Sequence, residues 1–91
     1  MKGYIGKIVI LPAERGYSTL SQAEFYEIVD KIIKENKLKI YISKKEFKNG
    51  NYITSFVLES PDILFVLYKK IIKEFGDRIQ YSFYRCRKKW F

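Results

Sequence analysis

Apolar and polar positions alternate along the 91 residues in a way that marks six elements. Tyr4 to Leu11 (YIGKIVIL) is β-branched, apolar and stopped by Pro12, the pattern of a central strand. A loop follows. Ser21 and Glu24 then stand at capping-box spacing, with Leu20 and Phe25 placed as a hydrophobic staple over the cap. Phe25, Ile28, Val29, Ile32 and Ile33 recur with helical period, and Asn36 is positioned as a left-handed stop. Leu38 to Lys44 alternates with period two and predicts a half-buried strand. Asn49-Gly50 predicts a type I′ hairpin turn, because both residues tolerate positive φ, and Tyr52 to Glu59 is the return strand. Ser60-Pro61-Asp62 opens a second helix with a cap, a proline at its first position and an acid in its first turn. Its core stripe is Leu64, Leu67, Tyr68, Ile71 and Phe75, and Gly76 ends it. Arg78 to Arg87 reads as a last strand, leaving residues 88–91 as a short basic and aromatic tail.

The order β-α-β-β-α-β predicts an α+β, ferredoxin-like plait: one domain over residues 1–91, with a four-stranded antiparallel sheet and two helices on one face. The hairpin then assigns the faces. A two-residue turn at Asn49-Gly50 pairs positions whose numbers sum to 99, and opposite residues share a face. One face would carry Leu38, Ile40, Ile42, Ile53, Ser55 and Val57, an aliphatic surface suited to helix packing. The other would carry Lys39, Tyr41, Ser43, Lys45, Phe47, Tyr52, Thr54, Phe56 and Leu58. The last strand adds either Tyr81 and Phe83 or Ser82 and Tyr84 to that aromatic and basic face.

Charge gives this face its meaning. Eighteen Lys and Arg against ten Asp and Glu leave a net +8, concentrated in residues 37–48 and 78–91. Cations flanking exposed rings suit bases stacked on aromatics with phosphates held by side chains. The expected nucleic-acid-binding residues are Lys39, Tyr41, Lys45, Phe47, Tyr52, Phe56, Arg78, Tyr84, Arg85, Arg87, Lys88 and Lys89. An acidic protein surface attracts the same cations. For that partner, Phe65, Val66, Lys69 and Lys73, outside the core stripe of the second helix, form an expected docking ridge. Stacking of two open sheets into a homodimer is a third way to cover the face. The loop Arg15 to Thr19, before the first helix, is a weaker phosphate-binding candidate.

Other chemistry is excluded by what the chain lacks. It has no histidine, which removes the commonest general base, the Ser-His-Asp and Cys-His constellations and nearly every transition-metal site. A lone cysteine, Cys86, cannot form an internal disulfide or a zinc knot; Arg85 and Arg87 flank it, but no base or resolving thiol accompanies it. No cofactor motif, signal peptide or membrane-spanning run is present, so a cytoplasmic setting is expected.

The element order resembles that of the RNA-recognition motif, which displays aromatics on its two central strands. The likeness stops at the fold: Gly50 to Val57 (GNYITSFV) does not match that family's third-strand signature, and the first strand has no aromatic after Tyr4. The reading is therefore a small, basic, non-enzymatic module binding RNA or single-stranded nucleic acid, of a kind suited to a viral or mobile-element accessory protein. The alternative is a small inhibitor or interaction module docking on an acidic or nucleic-acid-binding protein surface. A metal-independent ribonuclease using Tyr and Lys as acid–base groups is the remaining class.

Overall fold

The computed structural model describes residues 2–13 and 20–90. Its elements follow in the order β1 (Lys2–Pro12), α1 (Gln22–Glu35), β2 (Ile40–Lys48), β3 (Asn51–Leu58), α2 (Pro61–Phe75), a 3-10 turn (Gly76–Arg78) and β4 (Ile79–Trp90). The four strands form one antiparallel sheet in the order β2-β3-β1-β4, with both helices on one face. This is a ferredoxin-like α+β fold. Residues 88–90 are not a tail. They extend β4, with Lys88 opposite Tyr4 and Lys89 opposite Gly3. No helix among the described residues is long and apolar enough to cross a membrane.

Local chemistry accounts for the helix ends. Ser21 Oγ accepts from the Glu24 amide at 3.2 Å, and Leu20 and Phe25 are both buried beside that cap. The Glu24 carboxylate is held chiefly by Arg78, whose two terminal nitrogens donate to it at 2.7 and 2.8 Å. The left-handed residue closing α1 is Lys37 (φ 50°), not Asn36. The Leu38 amide reaches Ile33 O and the Lys37 amide reaches Lys34 O, the two bonds of a Schellman motif. Asn36 supports that end through its side chain, with Nδ2 donating to Ile32 O at 2.8 Å. In α2, Ser60 Oγ caps the Asp62 amide and Gly76 ends the helix at positive φ.

The hairpin turn forms as expected, with Asn49 at φ 53° and Gly50 at φ 80°. Next to it, the pairs Lys48–Asn51, Phe47–Tyr52, Lys45–Thr54 and Lys44–Ser55 keep the predicted sum of 99. Ser43 then has no partner. Beyond it the register shifts, and Ile42–Phe56, Tyr41–Val57 and Ile40–Leu58 sum to 98. One extra residue in a strand is a β-bulge, and it inverts the alternation on one side of itself relative to the other. The expected face assignment fails for this reason. Tyr52, Thr54, Phe56 and Leu58 point under the helices and are buried, while Ile53, Ser55 and Val57 lie on the open side. In β2, Ile40 and Ile42 also face the helices, in agreement with the sequence reading.

The core lies between this inner face and the helices. Ile8 and Ile10 from β1 and Phe56 from β3 meet Phe25 and Val29 of α1 and Leu64, Leu67 and Ile71 of α2. Gly6 allows α2 to approach β1: a Cβ there would lie 2.6 Å from Leu64 Cδ2. Tyr52, buried on the helix side, donates its hydroxyl to Leu20 O at 2.6 Å, and burial pushes its phenol above the ordinary range.

Candidate functional site

The face opposite the helices is bare among the described residues. Strand pairing sets out its side chains in transverse rows. Tyr41, Val57, Ile5 and Arg87 lie side by side across β2, β3, β1 and β4. The next row is Lys44, Ser55, Lys7 and Arg85, and the one after it Glu46, Ile53, Val9 and Phe83. Toward the hairpin end come Lys48 and Asn51 on one side and Leu11 opposite Tyr81 on the other.

Each row has a physical character. The Lys44–Ser55–Lys7–Arg85 row runs straight across the sheet. With neighbouring strands about 4.8 Å apart, its cations sit on backbones spread over about 14 Å. Arg87 stands beside its β4 end, and a shallow depression of about 200 Å3 lies there, lined by Ile5, Lys7, Ser55, Arg85, Cys86 and Arg87. The flanking rows are apolar at their centres: Ile5 and Val57 on one side, Val9 and Ile53 on the other. Val9 is buried yet stands apart from the core cluster, as expected of a side chain sheltered only by its neighbours on an uncovered sheet. Rings project at both edges. Tyr41 is 72% exposed on β2, and Tyr81 and Phe83 pack on each other at 5.9 Å between centroids on β4. Among the described residues the face carries Lys7, Lys44, Lys48, Arg85, Arg87 and Lys89 against one carboxylate, Glu46, which pairs with Lys44 at 3.2 Å.

Of the residues expected to bind nucleic acid, Tyr41, Arg85, Arg87 and Lys89 lie on this face, and Lys39 is exposed just before β2. The others are elsewhere. Phe56 is fully buried and Tyr52 nearly so, turned inward by pairing with β1, while the Ser43 bulge brings Ile40 and Ile42 to the same side. Lys45 and Phe47 belong to the helix side at the β2 edge, the ammonium 4.7 Å from the Tyr26 ring and Phe47 stacked 5.3 Å from Tyr52. Tyr84 also turns toward the helices, against Tyr68 and Phe65 at 4.6 and 6.2 Å. Lys88 shares that side by register. Arg78 is occupied by Glu24, and the two charges hold each other's ionised form: the Arg78 hydrogen bonds lower the carboxyl pKa and Glu24 raises that of the guanidinium. Burial pushes the Cys86 thiol up, against the lowering that flanking arginines would give.

Lys7, Lys44, Lys48, Tyr81 and Phe83 are the members that the expected set lacked. Lys7 carried a usable signal, since a lone lysine inside an apolar central strand must face away from the helices. The Arg15 to Thr19 loop lies outside the described residues. Of the residues expected to form a docking ridge, Phe65, Val66, Lys69 and Lys73 are all exposed on α2, with Lys69 Nζ 5.8 Å from the Phe65 ring.

No protein-family model matches the chain, and no curated protein matches it. Solved structures share its fold. One is the de novo designed protein Foldit4, with a TM-score of 0.56 and 11% identity over 99% of this chain and 98% of that one. Another is a NIPSNAP family protein of unknown function from Agrobacterium tumefaciens strain C58, with a TM-score of 0.57 and 10% identity over 96% of this chain and 87% of that one. At such identities the likeness is one of fold alone.

Proposed function

We propose that this chain is a non-enzymatic module that binds RNA or single-stranded nucleic acid across its open sheet face. The observation that carries the reading is the transverse row of Lys44, Lys7 and Arg85, with Arg87 beside it, on a face holding one carboxylate among the described residues. Phosphates track the cations, while Tyr41 at one edge and Tyr81 and Phe83 at the other offer ring faces to bases. The central strands give aliphatic contact instead of rings, so the mode differs from that of the RNA-recognition motif. The same row disfavours a dimer made by stacking two open sheets, because Lys7 and its neighbours would meet like charges in a dehydrated interface. A cytoplasmic setting suits a single half-buried thiol.

The test is binding of a short labelled single-stranded RNA at three salt concentrations. Three phosphate contacts predict a log–log salt slope of about −2, and Lys7→Ala or Arg85→Ala should each reduce its magnitude by about 0.7. Tyr41→Ala should weaken binding by about 1–3 kcal/mol at an unchanged slope. Absence of salt-dependent binding by the parent at low ionic strength overturns the reading. RNA recovered intact from the same mixtures, with chelator present, separates binding from cleavage.

A further inference from the structure

The outer edge of β4 is a second surface, and its chemistry is distinct from that of the open face. β4 pairs with β1 on one side only, so the backbone N–H and C=O groups directed to its other side have no strand partner among the described residues. Residues 79–84 (IQYSFY) carry no charge, and 85–89 (RCRKK) carry four cations and no acid. Exposed rings flank the neutral half on both faces of the sheet. Tyr81 and Phe83 lie on the open side, and Tyr84 lies on the helix side with Phe65 of α2, which is 48% exposed. The helix side is rigid there, because Tyr68 is hydrogen-bonded to Ser82 Oγ at 2.6 Å and packs on Tyr84. Tyr68 also borders an open hollow on the surface of α2, with Lys69, Lys70, Ile72 and Lys73 around it. Natural edge strands are protected by charge, bulges or shortness. β4 has its terminal cations and, at its start, a register shift that leaves Gln80 unpaired between Ile79–Pro12 and Tyr81–Leu11; between these two, Tyr81 to Tyr84 form an unprotected aromatic edge.

We propose that the β4 edge is a docking site for an extended acidic protein segment, added as a fifth antiparallel strand. Its first residues are acidic and lie against Arg85, Arg87 and Lys88. Its later, apolar residues alternate between the Tyr81–Phe83 rings on one face and the Phe65–Tyr84 rings on the other. Charge selects this occupant over a second copy of the chain. Each copy carries a net +8, and pairing β4 with β4 brings those charges together with no acid on either strand to offset them. An acidic strand neutralises cations on both faces of the edge, Arg85 and Arg87 on the open side and Lys88 on the helix side.

The probe is a nine-residue peptide with four glutamates followed by alternating Val and Phe, titrated into the full chain with amide shifts followed by NMR. The expected result is saturable binding with the largest shifts in residues 79–89, weakened by salt. Phe65→Ala and Tyr84→Ala should each lower affinity about fivefold. N-methylation of every second peptide amide should abolish binding in one alternating set and leave it nearly unchanged in the other, since only one set faces β4. Equal loss from both methylated sets, or shifts centred on Lys7 and Lys44, would mean simple charge attraction and overturn the proposal. Concentration-dependent dimerisation that Phe83→Glu abolishes, together with no peptide binding, would assign the edge to a second copy and overturn it as well. Lys7→Ala separates this site from the nucleic-acid face: it should weaken RNA binding and leave peptide affinity unchanged.

Discussion

The two faces of this sheet are made by alternate residues of the same four strands, yet they obey different chemistry. On the covered face, Ile8, Ile10, Thr54 and Phe56 are all but sealed from water, and the one polar side chain among them, Thr54, leaves its hydroxyl buried without a partner among the described residues. On the open face, Ser55 and Lys7 occupy the positions next to Thr54 and Ile8, and the row they form is cationic. A residue's face therefore decides whether it contributes stability or remains available to a ligand. That face is set by the strand pairings, and a single unpaired serine changes them for half of β2.

The largest test of this contrast is truncation of the two aromatics that were expected to act together. Phe56→Ala should destabilise the fold by about 3–5 kcal/mol, because it empties a fully buried ring site between β3 and the helices. Tyr41→Ala, at 72% exposure, should change stability by less than about 0.5 kcal/mol. Denaturant titration of both variants checks the pair. Equal effects would mean that the two rings share a face after all.

A smaller effect is expected from Thr54. Its Oγ1 is dehydrated by folding and gains no hydrogen bond among the described residues. Thr54→Val keeps the shape and removes that penalty, so stability should rise by about 1–2 kcal/mol. The same change at Ser55, on the open face, should give almost nothing. A loss of stability in the Thr54 variant would reveal a partner for the hydroxyl.

The ion pair that joins α1 to the start of β4 gives a pH test. Glu24 has its pKa lowered in the fold by the Arg78 hydrogen bonds. Its contribution is thus complete above the ordinary glutamate range and disappears as pH falls through the lower folded value. Glu24→Gln should flatten the acid limb of a stability–pH profile and leave the profile's shape near pH 8 unchanged. An unaltered acid limb would show that the bidentate contact is absent in solution.

Much of this molecule was legible from residue order because the devices involved are local. Ser21 and Ser60 as caps, Pro61 at a first helical position and Asn49-Gly50 at the turn act within a few residues, and all four stand where they were expected. The C-terminal end of α1 moved by one residue because Asn36 bonds Ile32 O through its side chain and passes the left-handed conformation to Lys37. The faces were harder to read. In Tyr52-Ile53-Thr54-Ser55-Phe56-Val57 both alternate sets contain apolar residues, so the strand does not announce its inner side. Only its pairing with β1 settles it, and that contact joins residues some fifty positions apart in sequence. Arg78 likewise reads as one more cation until the fold brings it to Glu24.

The bulge itself yields the smallest and sharpest prediction. Ser43 is exposed and has no partner in the β2–β3 ladder, which is continuous on either side of it. Ile42 already points inward and Lys44 outward. Deleting Ser43 therefore joins two segments whose alternation is correct, and both sets of cross-strand pairs survive. The expected change is about 0.5 kcal/mol or less, the range of an ordinary surface substitution. Deleting Ile53 from the facing strand is the control. No bulge stands there to absorb the loss, so one side of β3 must turn Tyr52 out of the core or Phe56 into water. If the two deletions cost the same by thermal unfolding, the register shift is not centred on Ser43, and the division of this sheet into a packed face and a binding face has to be redrawn.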